Sequence, residues 1–124
     1  MVNKEVINTG FPKAGPYSLG IKADDLIFIS GQVPNSDDKN IKNQTLTVLG
    51  KIKTILEEAG ANVSNIVKVG IFLKSITDFT EMNQVYKEFF EQNGVNEKFP
   101  ARSTVQALCP LPTALIEIDA IAMI

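Results

Sequence analysis

Two stretches of helical period, set among strand-like apolar runs, constrain this chain more than any other feature. From about Ile41 to Ala59, the residues Thr45, Val48, Leu49, Ile52, Ile55, Leu56 and Ala59 fall three or four apart. Lys51, Lys53, Glu57 and Glu58 take the other face, and Gly60 suits the position just past the helix end. Phe79, Met82, Val85, Tyr86, Phe89 and Phe90 form a second stripe, which reads as core rather than as the wall of a cofactor site. Asp78 with Glu81 three residues on resembles a capping box at its start, and Gly94 marks its end. Leu26-Ile27-Phe28-Ile29 and Ile66–Leu73 are nearly continuous apolar runs, read as strands buried on both faces. Ala23-Asp24-Asp25 is a turn between Tyr17–Lys22 and Leu26–Val33. Residues 3–16 form a short strand and a loop, and Pro34–Asn40 is a polar loop. The order is ββ(β)αβαββ, an α+β sandwich with both helices on one side of a single mixed sheet. Two helices cover only one sheet face, so the chain is expected to associate through the other.

Near the end of the sequence two charged strands stand out. Lys98-Phe99-Pro100-Ala101-Arg102-Ser103-Thr104-Val105-Gln106 reads as a strand entered through a proline. Ile116-Glu117-Ile118-Asp119-Ala120 alternates an apolar face with two carboxylates. If a hairpin joins the two across Leu108–Leu115, Arg102 faces Glu117, and both lie with Asp119 off the helix-packed face, at or near a subunit boundary. The pair then reads equally as a structural salt bridge or as an anion site.

Composition narrows the chemistry. The 124 residues are enough for one domain, spanning 1–124, with a proper core, and the hydrophobic and charged fractions of 44% and 21% are those of a globular protein. A net charge of −2 without a Lys or Arg run gives no electrostatic case for nucleic acid. The single cysteine, Cys109, excludes an internal disulfide, and no run reaches membrane-spanning length or forms a leader peptide. The expectation is a soluble cytoplasmic protein, with an organelle left open. The sequons at Asn43 and Asn62 carry little weight in that setting. There is no histidine, which removes the usual general base, the Ser-His and Cys-His dyads and the commonest metal ligand. No metal or organic cofactor is expected: a carboxylate-only zinc site is improbable, and neither Gly-x-Gly-x-x-Gly nor a P-loop is present. Catalysis would run on Arg, Asp, Glu, Tyr, Ser, backbone dipoles and water.

Five ordered motifs then acquire a common meaning. Gly15-Pro16-Tyr17, Ile29-Ser30-Gly31-Gln32, Asp78-Phe79 leading to Met82-Asn83, Phe99-Pro100-Ala101-Arg102-Ser103, and Ile116-Glu117-Ile118 with Ala120-Ile121-Ala122 resemble the RidA (YjgF/YER057c/UK114) family over essentially the full length. The resemblance implies the chorismate mutase-like RidA fold and a homotrimer whose sheets form a central barrel, with three clefts between subunits. It implies hydrolysis of reactive 2-imino or enamine acids, such as 2-aminoacrylate and 2-iminobutanoate, to 2-oxo acids and ammonia. By position, Arg102 matches the clamp on the substrate carboxylate, a role its planar fork suits. Glu117 matches the residue that holds or activates water; beside a cation its pKa is expected to be low, making it a weak base. Tyr17, Ser30, Gly31 and Asn83 match residues of the substrate cleft.

Two departures from the family pattern stand out. Thr104 occupies a position where members often carry cysteine, and it can still offer its amide or hydroxyl to a carboxylate. Cys109-Pro110-Leu111-Pro112 carries two prolines, although Arg102 and Glu117 keep the family's 15-residue separation. Cys109 itself is expected to be passive and partly buried. Three activities compete: an imine deaminase, a ribonuclease or translation inhibitor, and a non-catalytic small-molecule-binding trimer.

Overall fold

The computed structural model describes residues 2–35 and 38–124; Ser36 and Asp37 of the expected polar loop, and Met1, lie outside the described residues. The element order is β1 (Lys4–Ile7), β2 (Gly20–Ala23), β3 (Leu26–Gln32), α1 (Ile41–Glu58), β4 (Ile66–Leu73), α2 (Phe79–Gln92), β5 (Ala101–Gln106) and β6 (Ile116–Met123). The strands form one six-stranded mixed sheet in the order β1-β2-β3-β6-β4-β5, and both helices pack on the same face. The expected class and helix placement therefore hold.

Local chemistry sets the element boundaries. The Asn40 side chain accepts hydrogen bonds from the amides of Lys42 and Asn43 and starts α1, and Gly60, at φ +80°, lets the chain leave it. Asp78 precedes α2 but makes no side-chain cap hydrogen bond, so the expected capping box is absent. A 3-10 turn over Ile76–Asp78 leads into the helix instead, and the Gln106 side chain accepts the Ile76 amide at 2.8 Å. That bond ties the start of α2 to the end of β5.

The core lies between sheet and helices. Ile27, Ile29, Val69, Ile71, Leu73, Ile116 and Ile118 meet Val48, Leu49, Ile52, Ile55 and Leu56 of α1, with Met82, Tyr86, Phe89 and Phe90 of α2. The expectation that β3 and β4 are buried on both faces fails in the isolated chain. Each strand alternates, leaving Phe28 42% and Val67 46% exposed. Val105 and Met123 are similarly open. The apolar runs reflect a sheet face that no part of the described chain covers.

The strand order overturns the hairpin. β5 and β6 do not pair: β4 stands between them, parallel to β5 and antiparallel to β6. Register then fixes the faces. Arg102, Val69 and Ala120 share one cross-strand row, and Thr104, Ile71 and Ile118 the next, both on the helix side. Val105, Phe72 and Glu117 share a row on the uncovered side, as do Ser103, Gly70 and Asp119. Arg102 and Glu117 therefore lie on opposite faces of the sheet. The expectation that all three charged residues lie off the helix-packed face is correct for Glu117 and Asp119 and wrong for Arg102.

Candidate functional site

The candidate residues fall into two groups. The first surrounds a cleft of about 550 Å³ on the uncovered face, lined by Tyr17, Ser30, Gly31 and Glu117. Its apolar walls are Ala14, Val33, Pro110 and Leu111. Gly31 sits at an irregularity in the β3–β6 register between Ile29 and Gln32, and the Glu117 carboxyl lies directly over its Cα. A Cβ on Gly31 would overlap a Glu117 carboxylate oxygen and stand 2.8 Å from its Cδ. Only glycine leaves the carboxylate there.

Hydrogen bonds fix the surroundings. The Tyr17 hydroxyl accepts from the Ala14 amide at 3.2 Å, keeping its own proton free to donate. Ser30 Oγ donates to the Ser18 carbonyl at 2.6 Å, so this hydroxyl reaches a ligand only as an acceptor. The loop carrying Pro110 and Leu111 is fastened through Gln44, which is 1% exposed. Gln44 Nε2 donates to the Asp38 and Thr113 carbonyls, and its Oε1 accepts the Leu115 amide at 2.7 Å. Lys51 Nζ, buried on α1, donates to the Val33 carbonyl and to Asn35 Oδ1 and steadies the opposite wall.

Glu117 behaves contrary to the low pKa expected beside a cation. Burial pushes its pKa above the ordinary carboxylate value, and repulsion from Asp119 adds to the rise. The reason is geometric: Arg102 is on the other side of the sheet, while Asp119 shares the face of Glu117. The result is a stronger base than an exposed glutamate. Cys109, half-buried nearby, has its thiol pushed up by burial and by Glu117, which disfavours the thiolate.

The second group lies on the helix side at edge strand β5. The Arg102 guanidinium carbon sits 4.8 Å from the centre of the Tyr86 ring and 5.7 Å from that of Phe79. Phe79, Asn83 and Tyr86 fall four and three residues apart, on one stripe of α2, while Thr104 follows Arg102 on the same face of β5. Among the described residues no carboxylate pairs with Arg102, which sets aside the salt bridge to Glu117 or Asp119. Asn83 Oδ1, Tyr86 OH and Thr104 Oγ1 are all buried without a hydrogen-bond partner. Burial raises the Tyr86 pKa to about 12, opposed by the charge of Arg102 and by the hydrogen-bonding approach of its guanidinium, which falls short of full hydrogen-bond geometry. Phe79 and Tyr86 are the residues that sequence reasoning passed over, having assigned both to the core stripe. Their spacing around Asn83 was the available signal. Among the described residues no group of three or more His, Cys, Asp or Glu side chains could hold a metal, and no helix is long and apolar enough to cross a membrane.

The family model described as Endoribonuclease L-PSP matches residues 8–124. The chain belongs to the RidA family. A RutC family protein of Pyrococcus abyssi is 44% identical, the match covering 96% of each chain. The 2-iminobutanoate/2-iminopropanoate deaminase of Dermatophagoides farinae is 34% identical over 100% of this chain and 99% of that one. Among solved structures, Escherichia coli TdcF with bound serine superposes with a TM-score of 0.90 at 31% identity, covering 97% of this chain and 98% of that one. The RidA family thus includes a relative named as an imine deaminase that matches this chain over its whole length, and the family motifs here divide between the two faces of the sheet.

Proposed function

We propose that the protein hydrolyses reactive 2-imino and enamine acids to 2-oxo acids and ammonia. Residues 1–124 would act as one domain within a homotrimer. The observation that carries this reading is the Arg102 guanidinium, set over the Tyr86 and Phe79 rings with no carboxylate partner among the described residues. A cation with no counter-charge at a partly desolvated position is arranged for an anion from outside the chain, and a planar fork fits a carboxylate.

Because Arg102 and Glu117 occupy opposite faces, one copy cannot apply both to one small molecule. The Arg102 group at the β5 edge of one copy would complete the Glu117 cleft of the next. The uncovered apolar face supports such association, and closed symmetry repeats the arrangement at every interface. In the completed site Arg102 anchors the substrate carboxylate, with Asn83 and Thr104 beside it. Tyr17 walls the cleft and donates a hydrogen bond. Ser30 and Gly31 shape the strand end beneath the reacting carbon. Glu117, with its raised pKa, orients water and takes a proton as the oxygen bonds to the iminium carbon. The C=N π electrons move to nitrogen. Glu117 then passes that proton to the amine nitrogen and the carbinolamine collapses: C=O forms as the hydroxyl proton is released to Glu117, C–N breaks and ammonia leaves. Uptake of the released proton by ammonia completes iminium plus water to 2-oxo acid plus ammonium. No cofactor or metal is required, since the iminium carbon is already electrophilic.

The description of the family model brings a second reading, an endoribonuclease. The net charge of −2 and the absence of histidine give it no comparable site. The test is hydrolysis of 2-aminoacrylate or 2-iminobutanoate generated in situ, comparing wild type with Arg102→Ala and Glu117→Gln. Acceleration by wild type that both variants lose is expected; equal rates in all three would remove the catalytic reading. RNA cleavage that survives extensive purification and disappears with a single site substitution would establish the second.

A further inference from the structure

The surroundings of Arg102 hold an imbalance. A guanidinium carries five N–H donors and no acceptor. The Tyr86 ring lies against it, Asn83 shares that stripe of α2 and Thr104 its face of β5. Asn83 Oδ1, Tyr86 OH and Thr104 Oγ1 are all buried and able to accept, and among the described residues none has a fully formed hydrogen bond. Buried polar atoms are rarely left so, and such a cluster calls for an explanation. Tyr86 is the most constrained of the three: its ring is 5% exposed, tilted against Phe90 at 4.6 Å and close under the guanidinium. Its hydroxyl is out of reach of solvent and, with a pKa near 12, stays neutral.

We infer that Tyr86 is a positioning residue for the clamp, its ring setting the plane of the Arg102 guanidinium and its hydroxyl accepting an N–H from it when a carboxylate engages the other edge. The inference rests on the reading of Arg102 as a carboxylate clamp. A guanidinium bound to a carboxylate along one edge has donors left on the other, and a buried acceptor there fixes the fork in one orientation. In the free chain the guanidinium already approaches the hydroxyl without completing hydrogen-bond geometry, so a bound carboxylate has only to tighten a contact that is there.

Tyr86→Phe removes the hydroxyl and keeps the ring. The probe is 2-oxobutanoate, titrated by calorimetry against wild type, Tyr86→Phe and Tyr86→Leu, with its methyl ester as the uncharged control. Expected is a loss of affinity of about 10-fold or more for 2-oxobutanoate in Tyr86→Phe, the range for a hydrogen bond to a charged group. Melting temperature, association state and ester affinity should stay at wild-type values, and Tyr86→Leu should lose more. Wild-type affinity in Tyr86→Phe overturns the inference. So does equal weakening of acid and ester, or a changed association state, either of which would make the hydroxyl structural. Tyrosine-dependent carboxylate binding without accelerated imine hydrolysis would refute the deaminase reading and leave this inference standing. Imine hydrolysis with unchanged carboxylate affinity in Tyr86→Phe would do the reverse. No binding and no hydrolysis in wild type would remove both.

Discussion

Gly31→Ala separates stability from activity at the cleft. Gly31 is outside the left-handed glycines of this chain, Gly10, Gly60 and Gly94, so alanine meets no backbone obstacle. The added methyl would stand 2.8 Å from Glu117 Cδ and 3.1 Å from its Cγ, where ordinary contact begins near 3.4 Å. Relief requires the carboxyl end to swing aside by about 1 Å, the scale of misplacement that lowers catalysis ~100-fold, or about 2.7 kcal/mol of barrier. The moving group is the end of a flexible side chain, so folding should lose no more than about 1 kcal/mol, roughly 4–6 °C in melting temperature. Gly70→Ala is the matched control. Its methyl would overlap the Asp119 carboxylate in the neighbouring row, with a comparable stability loss and only a modest change in rate. Calorimetry and kcat/KM for imine hydrolysis read the two effects separately. If the methyl acts only by displacing Glu117, adding Gly31→Ala to Glu117→Gln should cost little further rate. Near-wild-type kcat/KM in Gly31→Ala, or fully multiplicative losses in the double variant, would refute the reasoning.

Three further outcomes follow from the charges. Asp119→Asn removes a carboxylate whose repulsion helps hold the Glu117 pKa up, so the acidic limb of the kcat/KM profile should move to lower pH. Glu117→Gln should raise the melting temperature at neutral pH. The raised pKa means that the folded state favours the protonated carboxyl, so the stability of wild type falls as pH rises through it; the variant's gain should vanish in acid, as melts across pH would show. Arg102→Lys keeps the charge but loses the planar fork held over Tyr86 and Phe79; KM should rise about 10-fold or more in steady-state assays, with a smaller change in kcat.

Much of this fold was legible because period is a local property. The Val48–Leu56 stripe and the Ile116–Ala122 alternation announce a helix and a strand without knowledge of their neighbours. Which strand lies beside which is a non-local matter, and there the short spacing between β5 and β6 misled. A connection of that length suits a hairpin, yet β6 pairs instead with β4, which also takes β5 in parallel through the α2 crossover. The same displacement moved Arg102 to the helix face, since alternation gives the parity of a strand but not which parity faces the core. Motif matching brought Arg102, Glu117, Tyr17, Ser30, Gly31 and Asn83 into view without showing that Arg102 and Glu117 lie on opposite faces of the sheet. The ring of Tyr86 was hidden by its own hydrophobicity, because a buried aromatic on a helix stripe reads as packing until its hydroxyl is seen to lack a partner.

The position of β6 bears on how the chain comes to be folded. It is flanked by β3 and β4, and every other strand of the described sheet precedes it in synthesis. Before Ile116–Met123 leaves the ribosome, β1-β2-β3 and β4-β5 are separate ribbons. Each exposes a hydrogen-bonding edge that β6 will later occupy, and Ile27, Ile29, Val69 and Ile71 have no strand between them. Closure thus waits on a late, long-range insertion, a slow kind of step that leaves open edges prone to stray pairing. The nascent chain should be vulnerable to aggregation and proteolysis until that strand is in place.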